Sequence, residues 1–418
     1  MEKLSIGIIG YGNRGKVLTE SIFIPMAETD IKITAVCDKY EDRASEAAQF
    51  ICEHTDRKPF CTTNYKELIG LQELDVVIIL SAWDSHIPIA VAAMKAGKEV
   101  AMEVGGTYTI RDCWDLIRTS EQTGKSCSML ENCCFGRREM MVMNMVRKGF
   151  LGEIVHCSGG YCHDLREEIA NGRENRHYRL QNYMLRNCEN YPTHELGPIL
   201  KILDINRGNR FMTLTSTSSA SKGLHEYIVN NKGSQDPLAQ IRFAQGDIVT
   251  TVIRCAGGQT VTITLDTTLP RYYSRGFTVR GTKGSYTEDT DSCFIDGVHN
   301  SYDFDWKSQW GNAKEFEAEY DHPLWKEYQK EIRGGHEGMD WLVFKSCFDS
   351  IKNGSRPVLD IYDIAVLMSI STLSEQSISL GGMPVSIPDF TSGRWMNNTQ
   401  DSEEWARPDI IAFKNPIG

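Results

Sequence analysis

Hydrophobic positions fall into two regimes along this chain. From Leu4 to about Arg147, short continuous apolar runs alternate with helical stretches: LSIGIIG, a helix from Gly12, IKITAVCD, LDVVIIL at 74–80, the helix IPIAVAAMKAG and KEVAMEV at 98–104. Strands that are apolar on both faces and separated by amphipathic helices predict a doubly wound parallel sheet of the α/β class. After about Leu151 polar and apolar residues interleave instead, in IVHCSGGY, RFMTLTSTS, LAQIRFA, DIVTTVIRCA, QTVTITLD, GFTVRGT and GSYTE. That alternation, with Gly-Gly and Thr-Lys-Gly turns between runs, predicts a largely antiparallel sheet with one packed and one open face. Helices are expected from about Glu195 to Leu203, Gly338 to Ile351 and Ile361 to Ser379, so this half reads as α+β. The segment 296–330 is rich in Trp, Tyr, Asp and Glu and weakly periodic, and is expected to be a long surface excursion.

The first strand runs into Gly10, Gly12 and Gly15, a GxGxxG at the opening of a helix. The three glycines suit a tight turn, a backbone approach to pyrophosphate and close packing of helix on strand, with the helix N-terminus facing the anion. Asp38 ends the second apolar strand, where a carboxylate accepts both ribose hydroxyls and repels a 2′-phosphate. The reading is therefore a Rossmann domain that binds NAD, with Lys39 and Arg43 close enough to leave NADP open. Asn13 and Arg14 lie inside the turn, and SAWDSH at 81–86 and Glu103 follow later strands, where ligands bind in open α/β sheets. Trp83, His86, Glu103 and Asn132 complete the expected cofactor contacts, the less favoured alternative for Trp83 and His86 being simply to cap and pack the next helix.

Length supports two domains at the usual ~150 residues each, here 1–150 for the cofactor and 151–418 for substrate binding and oligomerisation. A net charge of -11 argues against a phosphate-tracking surface, so nucleic acid is not an expected partner. The 13 cysteines form no CxxC pair and no metal-ligand spacing; scattered through apolar runs, they read as reduced, buried small hydrophobes. No run approaches the ~20 apolar residues of a membrane span, and MEKLSIGIIG holds no extended apolar leader, so the chain as given reads as cytoplasmic. Removal of an export leader would make it periplasmic or exported.

The second half must supply the groups that face the nicotinamide. RNCENYPTHELGP offers Glu189, Tyr191 and His194 just before a helix, and histidine can take a hydroxyl proton near neutral pH. Tyr161 and His163 share a strand face at the end of IVHCSGGYCHDLR. HYRL adds Arg179, and LPRYYSRGF adds Tyr273. Rings and guanidinium groups at this density suit a sugar, and would also suit a structural ion-pair network.

These motifs carry a resemblance. Over essentially its whole length the chain resembles the glucose-fructose and inositol dehydrogenase superfamily, Gfo/Idh/MocA. More narrowly, ENCCFGRREMMVMNMVRKGFLGEIVHCSGGYCHDLR, ENYPTHELGPILKILDINRGNRF, LPRYYSRGFTVRGTKG and GGHEGMD resemble glycoside hydrolase family 109, associated with NAD-dependent α-N-acetylgalactosaminidase activity. The resemblance implies sugar contacts from Glu131, Tyr161, Arg179, Tyr191, His194 and Tyr273. It also implies tightly bound, recycled NAD, a homo-oligomer paired through the second-domain sheet, and cleavage without net redox change. In that chemistry C3 of the sugar is oxidised while His194, supported by Tyr191, takes the hydroxyl proton. Tyr161 then removes the C2 proton, the aglycone is eliminated, water adds and C3 is reduced again. The chain departs from the patterns in three places. Glu103-Val104-Gly105 stands where the superfamily has Glu-Lys-Pro, and Glu189 and Glu195 replace an Asp and a Gly of DLYPTHG. The missing lysine argues against the alternative, an ordinary NAD-dependent sugar or polyol dehydrogenase.

Overall fold

The computed structural model describes residues 3–398 and 403–411. The apolar runs of the first half become six parallel strands: β1 (Leu4–Ile9), β2 (Ile31–Cys37), β3 (Phe60–Thr62), β4 (Val76–Ile79), β5 (Glu99–Met102) and β6 (Cys127–Met129). Their order is β3-β2-β1-β4-β5-β6, the Rossmann arrangement, with the switch in direction between β1 and β4. VVII of β4 has no polar face and is wholly buried, as a strand covered by helices on both sides must be. The helix after β1 starts at Asn13 and continues through a π turn at Thr19–Phe23 to Ala27.

The alternating runs of the second half form β7 (Ile154–Cys162), β8 (Phe211–Ser218), β9 (Ile248–Cys255), β10 (Thr260–Asp266), β11 (Thr278–Gly281), β12 (Gly284–Thr287), β13 (Ser292–Ile295) and the short β14 (Val385–Ser386). They assemble as β13-β12-β11-β7-β10-β9-β8-β14, antiparallel throughout except for the β7–β10 pair. Burial alternates residue by residue along β9 and β10. One face is covered by helices Thr193–Ile202 and Ile361–Ser379; the other is open. Fold class and layer order agree with the sequence reading.

The three expected helices are present as Thr193–Ile202, Met339–Asn353 and Ile361–Ser379. The last begins with a capping box: Asp360 accepts from the Tyr362 and Asp363 amides, and Asp363 accepts from that of Asp360. Two expectations fail. LAQIRFA is not a strand: Pro237 starts a 3₁₀ turn, Pro237–Gln240, capped by Asp236, so its alternation reflects a buried turn with Leu238 inside. The 296–330 excursion is exposed only in its first part. From Ala313 the chain returns to the core, burying Leu324, Trp325 and Tyr328, and Trp325 Nε1 donates to the Phe135 carbonyl at 2.8 Å. Those residues sit in helical pieces of four to six residues, too short to show a period. All 13 cysteines are unpaired; 11 are buried, while Cys52 and Cys61 are exposed on a helix and an edge strand.

The chain returns to the first sheet late. Helix Met339–Asn353 packs on the 3₁₀ turn Asn132–Phe135, and helix Ile361–Ser379 lies between β8 and helix Ile110–Thr123. A cleft of about 1740 Å³ opens across the C-terminal ends of the parallel strands. That exceeds the ~300–1,000 Å³ of an ordinary small-ligand pocket and leaves room for a dinucleotide and a second ligand together.

Candidate active site

The dinucleotide end of the cleft is built by the glycine turn. Gly10 has φ +106°, and a Cβ there would lie 2.6 Å from the Leu80 carbonyl carbon; one at Gly15 would strike the Gly10 carbonyl oxygen. Gly12 differs: a Cβ there would meet only the Arg43 guanidinium, at 3.6 Å. Protein packing therefore explains two of the glycines, and the space above Gly12 is left for a ligand. Gly12 also caps the helix from Asn13 without any side-chain bond, so the first amides of that helix point at the cleft unfilled. Asp38 is buried at the end of β2, its two oxygens accepting from the amides of Tyr11 (2.7 Å) and Tyr40 (2.9 Å). Its remaining lone pairs suit ribose hydroxyls. This donor and acceptor set fits NAD.

Arg14, itself held by Glu103, and Asn132 converge on Asp340, a residue given no role in the sequence reading. Arg14 donates to Glu103 (2.9 Å) and, through both terminal nitrogens, to Asp340 (2.8 Å each). Asp340 also accepts from Asn132 Nδ2 at 2.9 Å and pairs with His336 Nδ1 at 2.8 Å. Burial works against the Asp340 charge, but Arg14 and His336 hold its carboxyl well below the usual range. Late in the chain, the GGHEGMD segment thus braces the helix that would face the pyrophosphate. The 326-residue separation between Arg14 and Asp340 hides this from any local pattern.

His86 is buried with Nε2 on the Ser81 carbonyl at 2.9 Å, and burial pushes its pKa down, so it is neutral and donates. That geometry is a helix-start contact at the cleft wall. Trp83 lies against Tyr178 (4.8 Å) and Tyr191 (5.7 Å), with the Arg179 guanidinium 5.5 Å from its ring centre. A Cβ on Gly105 would stand 2.7 Å from Trp83 Cδ1, so the departure from Glu-Lys-Pro makes room for this indole.

Beyond Trp83 the second-domain residues meet. Tyr161, at the end of β7, stacks on Tyr191 at 4.2 Å, and both rings stand edge-on to His194 at 5.3 and 4.8 Å. His194 Nδ1 is 2.8 Å from Glu131 Oε1. A carboxylate only accepts, so Nδ1 carries the proton and Nε2 is left as a base. Glu131 is fully buried; burial opposes its charge, and His194 holds its pKa below the ordinary value. Arg179 is fixed by Glu168 at 2.9 Å and passes 5.4 Å from the Tyr191 ring. Tyr273 is half exposed on the loop after β10, 6.3 Å from Tyr161 and 5.3 Å from His163. Tyr161, Arg179 and Tyr191 line the cleft; the partly exposed His194 ring and the half-exposed Tyr273 adjoin these lining residues, while Glu131 and Asn132 are buried.

Glu131, Cys133 and His194 also bring three ligand-type atoms within 4.8 Å of one another. The Arg275 guanidinium sits 3.2 Å from Cys133 Sγ, and burial pushes that thiol far up. A resident positive charge and a protonated thiol oppose a dication, so the trio is an oriented imidazole. Glu195 points away from the cleft to Arg275 (3.0 Å), which also pairs with Glu139 at 2.6 Å. A Cβ on Gly159 would lie 2.5 Å from that of Glu195, so a bare backbone in β7 accommodates the extra carboxylate.

Fold and cleft define a two-domain, NAD-binding protein of the Gfo/Idh/MocA type: residues 4–131 match the oxidoreductase family with an NAD-binding Rossmann fold. Residues 135–397 match the glycosyl hydrolase 109 C-terminal domain. The chain belongs to the glycosyl hydrolase 109 family. It is 39% identical to an α-N-acetylgalactosaminidase of Tannerella forsythia, across 94% of this chain and 87% of that protein. A glycosyl hydrolase family 109 protein of Parabacteroides distasonis is 38% identical across 94% and 88%. Among solved structures, an NAD-binding oxidoreductase from Klebsiella pneumoniae superposes with a TM-score of 0.69 at 16% identity, covering 93% of this chain and 99% of its own. Among the described residues no helix is long and apolar enough to cross a membrane.

Proposed function

We propose that this chain is an NAD-dependent glycosidase of the α-N-acetylgalactosaminidase kind, cleaving its substrate by transient oxidation at C3 and elimination from C2. The observation that carries the reading is the His194–Glu131 pair, with the His194 ring edge-on to the stacked Tyr161 and Tyr191 that line the same cleft as the glycine turn. When bound, NAD would supply the acceptor for the C3 hydride and its source for the final reduction. Glu131 holds the His194 Nδ1–H, leaving Nε2 to take the C3 hydroxyl proton. Tyr191 adjoins both His194 and Trp83 and orients the sugar between them. Arg179, clamped by Glu168, donates to sugar oxygens, Tyr273 covers the site from above, and Tyr161 takes the C2 proton. A ketone at C3 acidifies that hydrogen, so the C1 bond breaks without an oxocarbenium ion and without paired glycosidase carboxylates. Residues 1–150 supply most of the cofactor site and 151–418 most of the sugar site, with Glu131 serving the sugar side and Asp340 and the segment 171–178 the cofactor side.

Recycling demands that the cofactor stay bound. The segment 171–178 spans the adenosine end of the cleft and is tied down there. Arg176 makes a two-point contact with Asp42 (3.0 and 2.7 Å) and lies on the Tyr40 ring at 4.3 Å, while Arg43 donates to the Asn175 carbonyl at 2.7 Å. A second copy of the chain is the proposed partner for the open sheet face, and the 13 unpaired cysteines favour a reducing compartment.

The test is a panel of chromogenic glycosides with deuterium at C2. N-acetylgalactosaminides should be hydrolysed with loss of label to water and no accumulation of free NADH. Retained label overturns the elimination route, and accumulating NADH identifies a dehydrogenase. His194→Ala should keep NAD and lose at least ~100-fold in turnover.

A further inference from the structure

The proposed reading leaves one chemical difficulty, since a tyrosine is a poor base unless its own proton has somewhere to go. Tyr161 is buried in the cleft wall, its phenol drawn away from ionisation by burial. Its hydroxyl lies 3.0 Å from Nδ1 of His163, which also lines the cleft. The rings stand edge to face, 5.7 Å apart at 78°, and stacking on Tyr191 fixes the Tyr161 plane. The His163 amide donates to the Asp266 carbonyl at 2.9 Å, pinning the backbone just after β7. Nothing in the roles assigned above uses His163.

From this geometry we infer that Tyr161 and His163 form a proton relay in which His163 accepts the phenol proton as Tyr161 takes hydrogen from C2 of the oxidised sugar. The inference rests on the proposed elimination route. In the step, the Tyr161 O–H proton moves to His163 Nδ1 and the C2–H proton replaces it on the phenol oxygen. The C2–H electron pair becomes the C1–C2 double bond. The C1–aglycone bond breaks with its pair on the aglycone oxygen, which takes a proton from water. Running the relay backwards returns a proton to C2 after water has added at C1.

The surroundings favour this direction. His163 faces Tyr161 and Asp164 on its own segment, and Arg179, Glu168, His194 and Tyr273 from the elements packed against it. Burial and then the Arg179 charge hold its imidazole below the ordinary histidine value, so at neutral pH it is uncharged and able to accept. Glu168, 2.9 Å from Arg179, offsets the positive charge when the proton arrives. His163 acts through Tyr161, and is a positioning and relay residue.

The experiment follows C2 exchange separately from cofactor reduction, using the holoenzyme and a C2-deuterated N-acetylgalactosaminide. In His163→Gln, sugar-dependent absorbance of the reduced cofactor should persist while label loss falls roughly a hundredfold. Wild-type exchange should decline toward acid through a titration below the usual histidine value, and the variant should lack that limb. In His163→Ala, added imidazole should restore exchange. Independently of turnover, the His163 imidazole nitrogen signals should titrate at higher pH in Tyr161→Phe, because a donor to the neutral ring has been removed. Wild-type exchange and an unchanged acid limb in His163→Gln overturn the relay alone. A wild type that retains the label overturns the elimination reading and the relay with it.

Discussion

Gly10 and Gly12 are two residues apart and answer to different constraints. At Gly10 the backbone is left-handed and a Cβ would meet the Leu80 main chain at 2.6 Å, so Gly10→Ala should destabilise the protein by ~1 kcal/mol or more. At Gly12 φ is -73° and a Cβ meets no protein atom closer than 3.6 Å. Gly12→Ala should therefore melt like wild type without cofactor and bind NAD far more weakly. Thermal melts with and without NAD check both. Glu189 supplies a pH prediction. Burial pushes its carboxyl from 4.5 up to about 8, with one oxygen taking the Tyr191 amide at 3.3 Å and the other unpartnered. The folded state thus binds more protons than the unfolded between those values. The stability is fully present below about pH 4.5 and is lost as pH rises toward 8. Glu189→Gln should match wild type near pH ~5 and melt higher near pH ~8; a constant difference across that range overturns the assignment.

At the scale of elements, the segment 171–178 is the one whose role is easiest to test. Its ties to the first domain are surface contacts, so each is individually weak. Removing two together, Arg176→Ala with Arg43→Ala, should speed release of bound NAD several-fold in a displacement assay. Melting of the cofactor-free protein should hardly change. Equal release rates would remove the segment from cofactor retention. Elements also show what the sequence made legible. Strands and long helices were readable because a period of 2 or 3.6 is a local property. The pieces from Ala313 to Tyr328 were not, because each buries only one to three side chains within a stretch too short to set a period, and the Phe135 carbonyl that Trp325 meets is distant in sequence.

For the whole molecule, the open face of the second sheet is the feature a monomer does not use. Thr278, Ser158, Thr262, Val252 and Thr215 stand side by side across five strands, all at least partly exposed. This flat row of small, mostly β-branched side chains is free of charge and suits burial against its own copy. The protein should run above monomer mass in light scattering, and Thr262→Lys should give a monomer that still binds NAD. A monomeric wild type at micromolar concentration overturns the pairing.

By itself the sequence determined the two sheets, the glycine turn, Asp38 and the run from Glu189 to Glu195, because each is written in neighbouring residues. It also set Tyr161 and His163 on one side of the chain, and they do meet, although His163 lies just past the end of β7 rather than on the strand. Tertiary structure alone decided that Asp340 braces Arg14, that Glu131 sets the tautomer of His194, and that Glu195 serves Arg275 rather than the sugar. The physical reason is common to all three. A buried charge must find its counter-charge wherever the packed chain brings one, and that choice leaves no trace in local spacing.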